Sequence, residues 1–412
     1  MPSPVTVGTS TTVNAIRYGP QRSNVHAQGL FWQFYSNGVN LVYKTSPDGR
    51  TWSTETIVRA CTDGGLFCVF SNGVRADYIY SPGTVGGVLM YRGGALSVSG
   101  IITWAAAEAD ISVPAFVAAD THYPSFIIID SDGYPVVTCV FYDASRGDYR
   151  YWAIRSTNKN GTWSPDGVFF TEFTGIEEFL YRMPIVPLTN RKIYLTISFA
   201  QLITTSTSGA VWDGSSWSVD YPPIIRISRG DAVSMVAYGD TVYYGYLTFP
   251  SYAIFLLKRD YGVGWGTNEA VSSATSISYP VLTIDKETGT VYCFWRQENK
   301  IYYKRRGANG IWDTVPFEWI SDTLAHFQLA SYYDRKGDNI GLAYVAGIAS
   351  PYDIRFDHID MVAEPPPAVV STRLSAGGSR HTAKPATGTY RSYYNTRIIR
   401  HLSYLDVQIV KA

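Results

Sequence analysis

The sequence predicts an all-β fold, a β-propeller of seven blades with six as the alternative, followed by a short C-terminal β extension. Three observations carry this. A Gly-turn-Trp signal recurs at Trp52, Trp104, Trp163, Trp217, Trp265 and Trp312, spaced 47 to 59 positions apart, close to the length of one four-stranded blade. Upstream of these signals, alternating apolar strands meet polar turns, as in Ile127–Tyr134, Met235–Tyr243 and Leu282–Tyr292. The 412 residues are 46% hydrophobic and 15% aromatic, with 36 Gly and 32 Tyr, a composition too apolar for disorder and suited to pleated sheets.

In register, each blade reads as strand, polar turn, strand, variable loop, strand, Gly-Trp turn, strand, and the blades are expected to start near residues 13, 72, 122, 182, 231, 278 and 326. Residues 61–110 are the weakest unit. Read as a degenerate insertion, they reduce the count to six. The last unit, from Leu329 to Ile340 and on to Ile359, lacks the Trp turn and supplies three strands. Val5-Thr6-Val7 is expected to add its outer strand, a closure that hides both sheet edges.

The propeller is expected to occupy residues 1–361. Glu364-Pro365-Pro366-Pro367 then forms a stiff spacer, because consecutive prolines favour the polyproline conformation. Residues 362–412 hold seven Lys/Arg against two acidic residues, and Leu402–Val410 alternates apolar and polar positions like a strand. Too short to fold alone, this extension is expected either to pack on the propeller or to dock on a protein partner, which leaves a homo-oligomer open.

Charge excludes some partners. With 34 Lys+Arg balancing 34 Asp+Glu, no global basic field exists to gather nucleic acid or an anionic membrane. No apolar run reaches the roughly 20 residues that span a bilayer. Met1-Pro2-Ser3-Pro4 lacks the basic and apolar regions of a secretory signal, so the chain is expected to be mature, recloned or made in the cytoplasm. Of the four cysteines, Cys139 and Cys293 lie in apolar strand patterns as buried thiols, and Cys61 and Cys68 could close a short loop in an oxidising compartment. Their spacing gives no zinc pattern. Asp130-Ser131-Asp132-Gly133 has part of a calcium-loop pattern but lacks the later Glu and falls in a hairpin turn, so no metal and no cofactor is expected.

Ser46-Pro47-Asp48-Gly49-Arg50-Thr51-Trp52 resembles the Asp-box, the Ser-x-Asp-x-Gly-x-Thr-Trp turn of sialidase-like propellers, with one residue fewer between Ser and Gly. Degenerate copies extend the resemblance over roughly residues 13–361. The turn needs Asp to accept from backbone amides, Gly for a positive φ, Thr for a side-chain bond and Trp to wedge between sheets. In that superfamily it joins the third and fourth strands on the face away from the ligand. The resemblance therefore implies structural roles for Asp48, Gly49, Thr51, Trp52, Trp163, Trp217, Trp265 and Trp312.

Ligand chemistry is then expected on the opposite rim, made by second-to-third-strand loops and blade-to-blade connections. Arg92, His122, Tyr123, Asp143 and Arg146 fall there in the first half of the chain, and Tyr181, Arg182, Tyr279, Arg296 and His326 in the second. Aromatic faces pack on sugar C–H surfaces, while Arg and Asp satisfy hydroxyls or grip carboxylates, so the mixture suits carbohydrate. The bland alternative is that these charges pair with one another on solvated loops.

Two enzymatic readings stay open. Sialidases hold a carboxylate with three arginines, the first in a Phe/Tyr-Arg-Ile-Pro motif; here Ile16-Arg17-Tyr18-Gly19-Pro20 stands in its place and departs from it, whereas Tyr181-Arg182-Met183-Pro184 matches better but lies in mid-chain. Polysaccharide lyases on similar propellers use a His or Tyr base and an Arg clamp; Thr121-His122-Tyr123-Pro124 resembles their blade entry, which would give His122 as base, Tyr123 as acid and Arg182 as clamp. With no complete catalytic set in the spacing, the expected function is recognition of a glycan or other surface ligand, within an extracellular or virion assembly of the host-attachment kind.

Overall fold

The computed structural model describes residues 3–16, 22–111, 121–144, 147–164, 168–169, 183–198, 207–224, 227, 233–248, 250–273, 280–322, 325–335 and 339–360. They form seven antiparallel sheets, the blades of a seven-bladed β-propeller. Their helical content is one 3-10 turn, Gly64–Leu66.

Blade 1 contains β2 (Asn24–Ala27), β3 (Leu30–Ser36), β4 (Asn40–Ser46) and β5 (Thr56–Ala60). Blade 2 contains β6 (Phe67–Ser71), β7 (Arg75–Tyr80) and β8 (Met90–Leu96), with β9 (Ile102–Trp104) and β10 (Ala109–Asp110) sharing the outer edge of β8. Blade 3 contains β11 (Thr121–Ile129), β12 (Pro135–Asp143), β13 (Asp148–Arg155) and β14 (Val168–Phe169). Blade 4 contains β15 (Ile185–Pro187), β16 (Ile193–Ser198), β17 (Thr207–Trp212) and β18 (Trp217–Asp220). In blade 5, β19 (Val233–Tyr238), β20 (Thr241–Leu247) and β21 (Ile254–Asp260) carry β22 (Gly264–Trp265) and β23 (Glu269–Ser272) on one edge. Blade 6 contains β24 (Val281–Asp285), β25 (Val291–Gln297), β26 (Lys300–Arg306) and β27 (Phe317–Ser321). Blade 7 contains β28 (Ala325–Ser331), β30 (Asn339–Ala346) and β31 (Tyr352–Asp360), and its fourth strand is β1 (Val5–Ser10). The short strand β29 (Asp334–Arg335) leaves blade 7 and pairs parallel with the inner edge of β24.

Ring closure is therefore by the N-terminal strand, Val5 opposite Phe356 and Ser10 opposite Tyr352. Residues 61–110 are a complete blade, which removes the six-blade alternative. Two expected starts are corrected. Blade 1 begins at Asn24 rather than near 13, and blade 2 at Phe67 rather than 72, because the apolar run Phe67-Cys68-Val69-Phe70 is buried on both faces as an innermost strand and shows no alternation. Cys61 and Cys68 are free buried thiols, as are Cys139 and Cys293. Burial pushes the Cys68 thiol up to about 12. The C-terminal extension, with its strand pattern at 402–410, lies outside the described residues.

Two devices tie the blades. Within blades, a second-strand tyrosine donates to an acceptor before the fourth strand: Tyr35 to Glu55 at 2.6 Å, Tyr78 to Glu108 and Tyr246 to Asn268 at 2.6 Å. Between blades, among the described residues, charges pair across six of the seven boundaries: Arg50–Asp357, Arg59–Glu108, Arg191–Asp132, Lys192–Asp240, Arg306–Glu269 and Arg335–Asp285. At the seventh, Arg75 of blade 2 donates to the carbonyl of Lys159 in blade 3. Thus many balanced charges of the composition serve between blades.

Candidate functional site

Strand direction defines two faces. First strands start, and second-to-third hairpins turn, on the upper face. First-to-second and third-to-fourth turns lie on the lower one. The Trp turns are therefore all lower-face features. In the first of them, Asp48 Oδ1 accepts from the Arg50 and Thr51 amides at 2.8 and 2.7 Å and from the Ser46 hydroxyl at 2.9 Å. These amides, Thr51 foremost, lower the Asp48 carboxyl to about 2, and the amides of Ser216 and Ser215 do the same for Asp213. Gly49 has φ +66, and a Cβ there would stand 2.6 Å from His358 Nδ1 of blade 7. Trp52 meets Phe356 edge-on at 5.1 Å, Trp163 meets Tyr91 at 5.3 Å and Trp265 meets Tyr194 at 5.6 Å, each on the preceding blade. Trp312 Nε1 donates to Glu269 at 2.8 Å, whereas Trp217 packs on Trp212 of its own blade at 5.6 Å.

A depressed carboxylate pKa contributes stability that is complete above the ordinary value, 3.8, and is lost as pH falls through about 2. The double variant Asp48→Asn, Asp213→Asn is expected to flatten the fall in melting temperature across that window. The change should be small because both turns are exposed. Thermal melts from pH 5 to 2 measure it; an unchanged slope would refute the role given to the amide bonds.

On the upper face, Arg92 stands on β8, with Nε donating to the Ala105 carbonyl at 2.7 Å and Nη2 to Ala106 at 3.4 Å, so its guanidinium is engaged by its own blade. Arg296 is at the end of β25, and its Nη2 donates to Asn299 at 3.3 Å within the hairpin. The β11–β12 register sets His122 opposite Phe141 and Tyr123 opposite Val140, and Asp143 closes the β12–β13 hairpin opposite Asp148. Thus the backbone brings His122, Tyr123 and Asp143 to one end of blade 3. Their side chains, that of His326 on β28, and residues Arg146, Tyr181, Arg182 and Tyr279 lie outside the described residues.

The tyrosine–carboxylate pairs found inside blades resemble an activated nucleophile and act differently. Burial, then the hydrogen bond to Glu55, raises the Tyr35 phenol far above its ordinary value, the opposite of activation. These pairs hold strands together.

The axis and the lower mouth hold a group that the sequence reading missed. Arg22, just ahead of β2, is 5% exposed, with φ +57. Its Nη1 donates to the carbonyls of Leu282 (2.7 Å) and Tyr332 (3.2 Å), and its Nη2 to Met235 (2.8 Å). One side chain thus spans from blade 1 to blades 5, 6 and 7. Tyr333 lies 5.1 Å from the guanidinium, meets the Phe70 ring of blade 2 at a tilt with centroids 5.1 Å apart, and accepts from the Ala237 amide of blade 5 at 3.2 Å. Together they plug the axis. Beneath them a cavity of about 760 Å³ opens among the first-to-second turns of blades 2 to 7 and the first strand of blade 1. Its wall includes Asp130, whose carboxylate is filled by the Asp132 and Tyr134 amides and by Arg155 at 2.7 Å, the bonding of a turn rather than of a calcium loop. The sequence marks Arg22 only by its place before the apolar pattern of β2 and β3, and Arg17, which stands in the sialidase-like motif position, lies outside the described residues.

No family model and no curated protein matches the chain. Among solved structures it is similar to the endosialidase of phage phi92, with TM-score 0.47, 10% identity, and coverage of 88% of this chain and 69% of that one. It is similar at the same level to prolyl oligopeptidase B of Galerina marginata, with TM-score 0.48, 14% identity, and coverage of 86% and 50%. For the sialidase of Trypanosoma rangeli the values are 0.45, 9%, 86% and 58%. The chain spans half the length of the oligopeptidase and 58% of that of the sialidase. Sialidases and an oligopeptidase stand equally near, so no activity is carried over from any of them. The propeller assignment rests on the sheets themselves.

Proposed function

We propose that this propeller is a recognition module that binds a glycan or another surface ligand on its upper face, as a component of a larger extracellular or virion assembly. The observation that carries the reading is the unequal length of the connections. First-to-second turns on the lower face are tight, as at 28–29 and 239–240, and third-to-fourth turns there reach the lengths of 47–55, 156–167 and 307–316, whereas the upper strand ends of blades 2 to 5 are joined by 81–89, 111–120, 170–184, 199–206 and 221–232. Elsewhere on that face 298–299 and 322–324 suffice, with 11–23 and 273–280 the longer exceptions. Long connections gathered on one arc of a rigid scaffold are where binding residues accumulate. The stretch 170–184 contains Glu177, Glu178, Tyr181 and Arg182.

The test is a glycan array probed with the full chain, followed by Arg182→Ala and Tyr181→Ala. Retention of a glycan without release of reducing sugar or an unsaturated product is expected, with each variant weakening retention about tenfold or more. Turnover that disappears in His122→Ala or Arg182→Ala would replace this reading with an enzymatic one. Attachment to the assembly is assigned to residues 364–412, whose deletion should leave a folded propeller in a changed assembly state.

A further inference from the structure

The lower-mouth cavity has a charge arrangement that points to a ligand of its own, on the face opposite the proposed recognition arc and independent of it. Each acidic group in the wall already has a cationic partner: Asp130 has Arg155, Asp132 has Arg191 at 3.2 Å, and Asp334 has Lys286. His26 is held neutral, its pKa lowered by burial and then by His358. Arg22 remains. Burial lowers it only to about 10, against a longer-range attraction from Asp334, so it is charged at neutral pH, and among the described residues its hydrogen-bond partners are carbonyl oxygens, with the Tyr333 ring 5.1 Å away. A buried charge without a counter-charge is costly.

A second wall residue is also incomplete. Asn24 is 0% exposed; its Nδ2 donates to the Ala330 carbonyl at 3.2 Å, and its Oδ1 has no partner among the described residues. Such an acceptor calls for a donor. We propose that the cavity beneath the axial plug binds a small hydroxylated monocarboxylate, its carboxylate neutralising Arg22 and a hydroxyl donating to Asn24 Oδ1. One unmatched positive charge selects a monoanion, because a dianion such as phosphate leaves negative charge beside three carboxylates. The Ser131 and Thr189 positions in the wall add hydroxyl groups, and about 760 Å³ is ample for a molecule of this size.

Isothermal titration of the full chain with sodium gluconate, and with glucose as the uncharged control, tests this. Saturable one-to-one binding of gluconate is expected, with glucose at least tenfold weaker. Arg22→Met should abolish it, and because that variant removes an axial tie, Lys286→Glu serves as the second probe. Lys286 is 40% exposed at the mouth, and reversing its charge should weaken gluconate about tenfold while the melting temperature stays within a few degrees. A disaccharide ending in glucuronate separates the two sources of such an acid: equal binding assigns the site to a chain end, binding of gluconate alone to a free acid. No saturable heat with gluconate, equal affinity for glucose, or an unchanged affinity in Lys286→Glu would overturn the proposal.

Discussion

A chain lacking Val5–Ser10 is expected to lose cooperative folding near ambient temperature and to associate through the edge thereby exposed. In the intact protein β1 covers the first half of β31, with register partners from Val5–Phe356 to Ser10–Tyr352. Its removal strips the outer backbone partners from Tyr352–Phe356 and uncovers an open strand edge, the kind of edge that recruits another chain. It also removes Val7, which is 2% exposed in the core between blades 7 and 1, and the carbonyl that receives Lys44 Nζ at 2.6 Å. Several backbone hydrogen bonds at about 1 kcal/mol each, plus one buried valine at about 2 kcal/mol, amount to a large part of the 5–15 kcal/mol that holds a domain folded. Circular dichroism melts and size-exclusion chromatography measure the effect. A truncated chain that stays monomeric with an unchanged melting temperature would mean that β1 is an ornament rather than the clasp of the ring.

Glu269→Ala is expected to destabilise the boundary between blades 5 and 6 by about 3 kcal/mol. Glu269 accepts from Arg306 through both oxygens, at 2.6 and 2.8 Å, and from Trp312 Nε1 at 2.8 Å. Arg306 is 7% exposed and also faces the Tyr243 ring, so without Glu269 its charge is left in a poorly solvated place, and the indole N–H loses its acceptor as well. The pair is partly open to solvent on the Glu269 side, which keeps the loss at the lower end of the range for buried pairs. Removing both charges in Glu269→Leu, Arg306→Met should recover much of the stability, because two apolar groups leave nothing unpaired. Denaturant melts of the single and double variants decide the matter. If the single change costs no more than the double, the staple is not what binds these blades.

The fold was legible because blade architecture writes itself into turns. Gly49, Gly161 and Gly310 hold φ of +66, +87 and +83, and at each the neighbouring side chain leaves little or no space for a Cβ, so selection for glycine is local and periodic. The closing strand was legible because the last unit was one strand short. Blade 2 was misplaced because Phe67–Phe70, buried on both faces, has no alternation to mark it. The inter-blade ion pairs were not legible, since Arg306 and Glu269 are separated by 37 positions and nothing local links them. Arg22 was hidden for the same reason: its acceptors are backbone carbonyls 213 to 310 positions away, and carbonyls leave no trace in residue identity. Of the rim, the chain showed which stretches are long and which carry aromatic and charged groups, while how they face one another depends on the circular order of the blades.

The Arg22–Tyr333 crossing has a mechanical meaning. A ring closed only at its circumference can breathe radially, but a side chain anchored on three far sheets works as the hub of a wheel, so that widening any sector strains the opposite ones. Traffic is governed too: the crossing floors the lower cavity, so that among the described residues a molecule entering there meets a wall and leaves by the mouth through which it came.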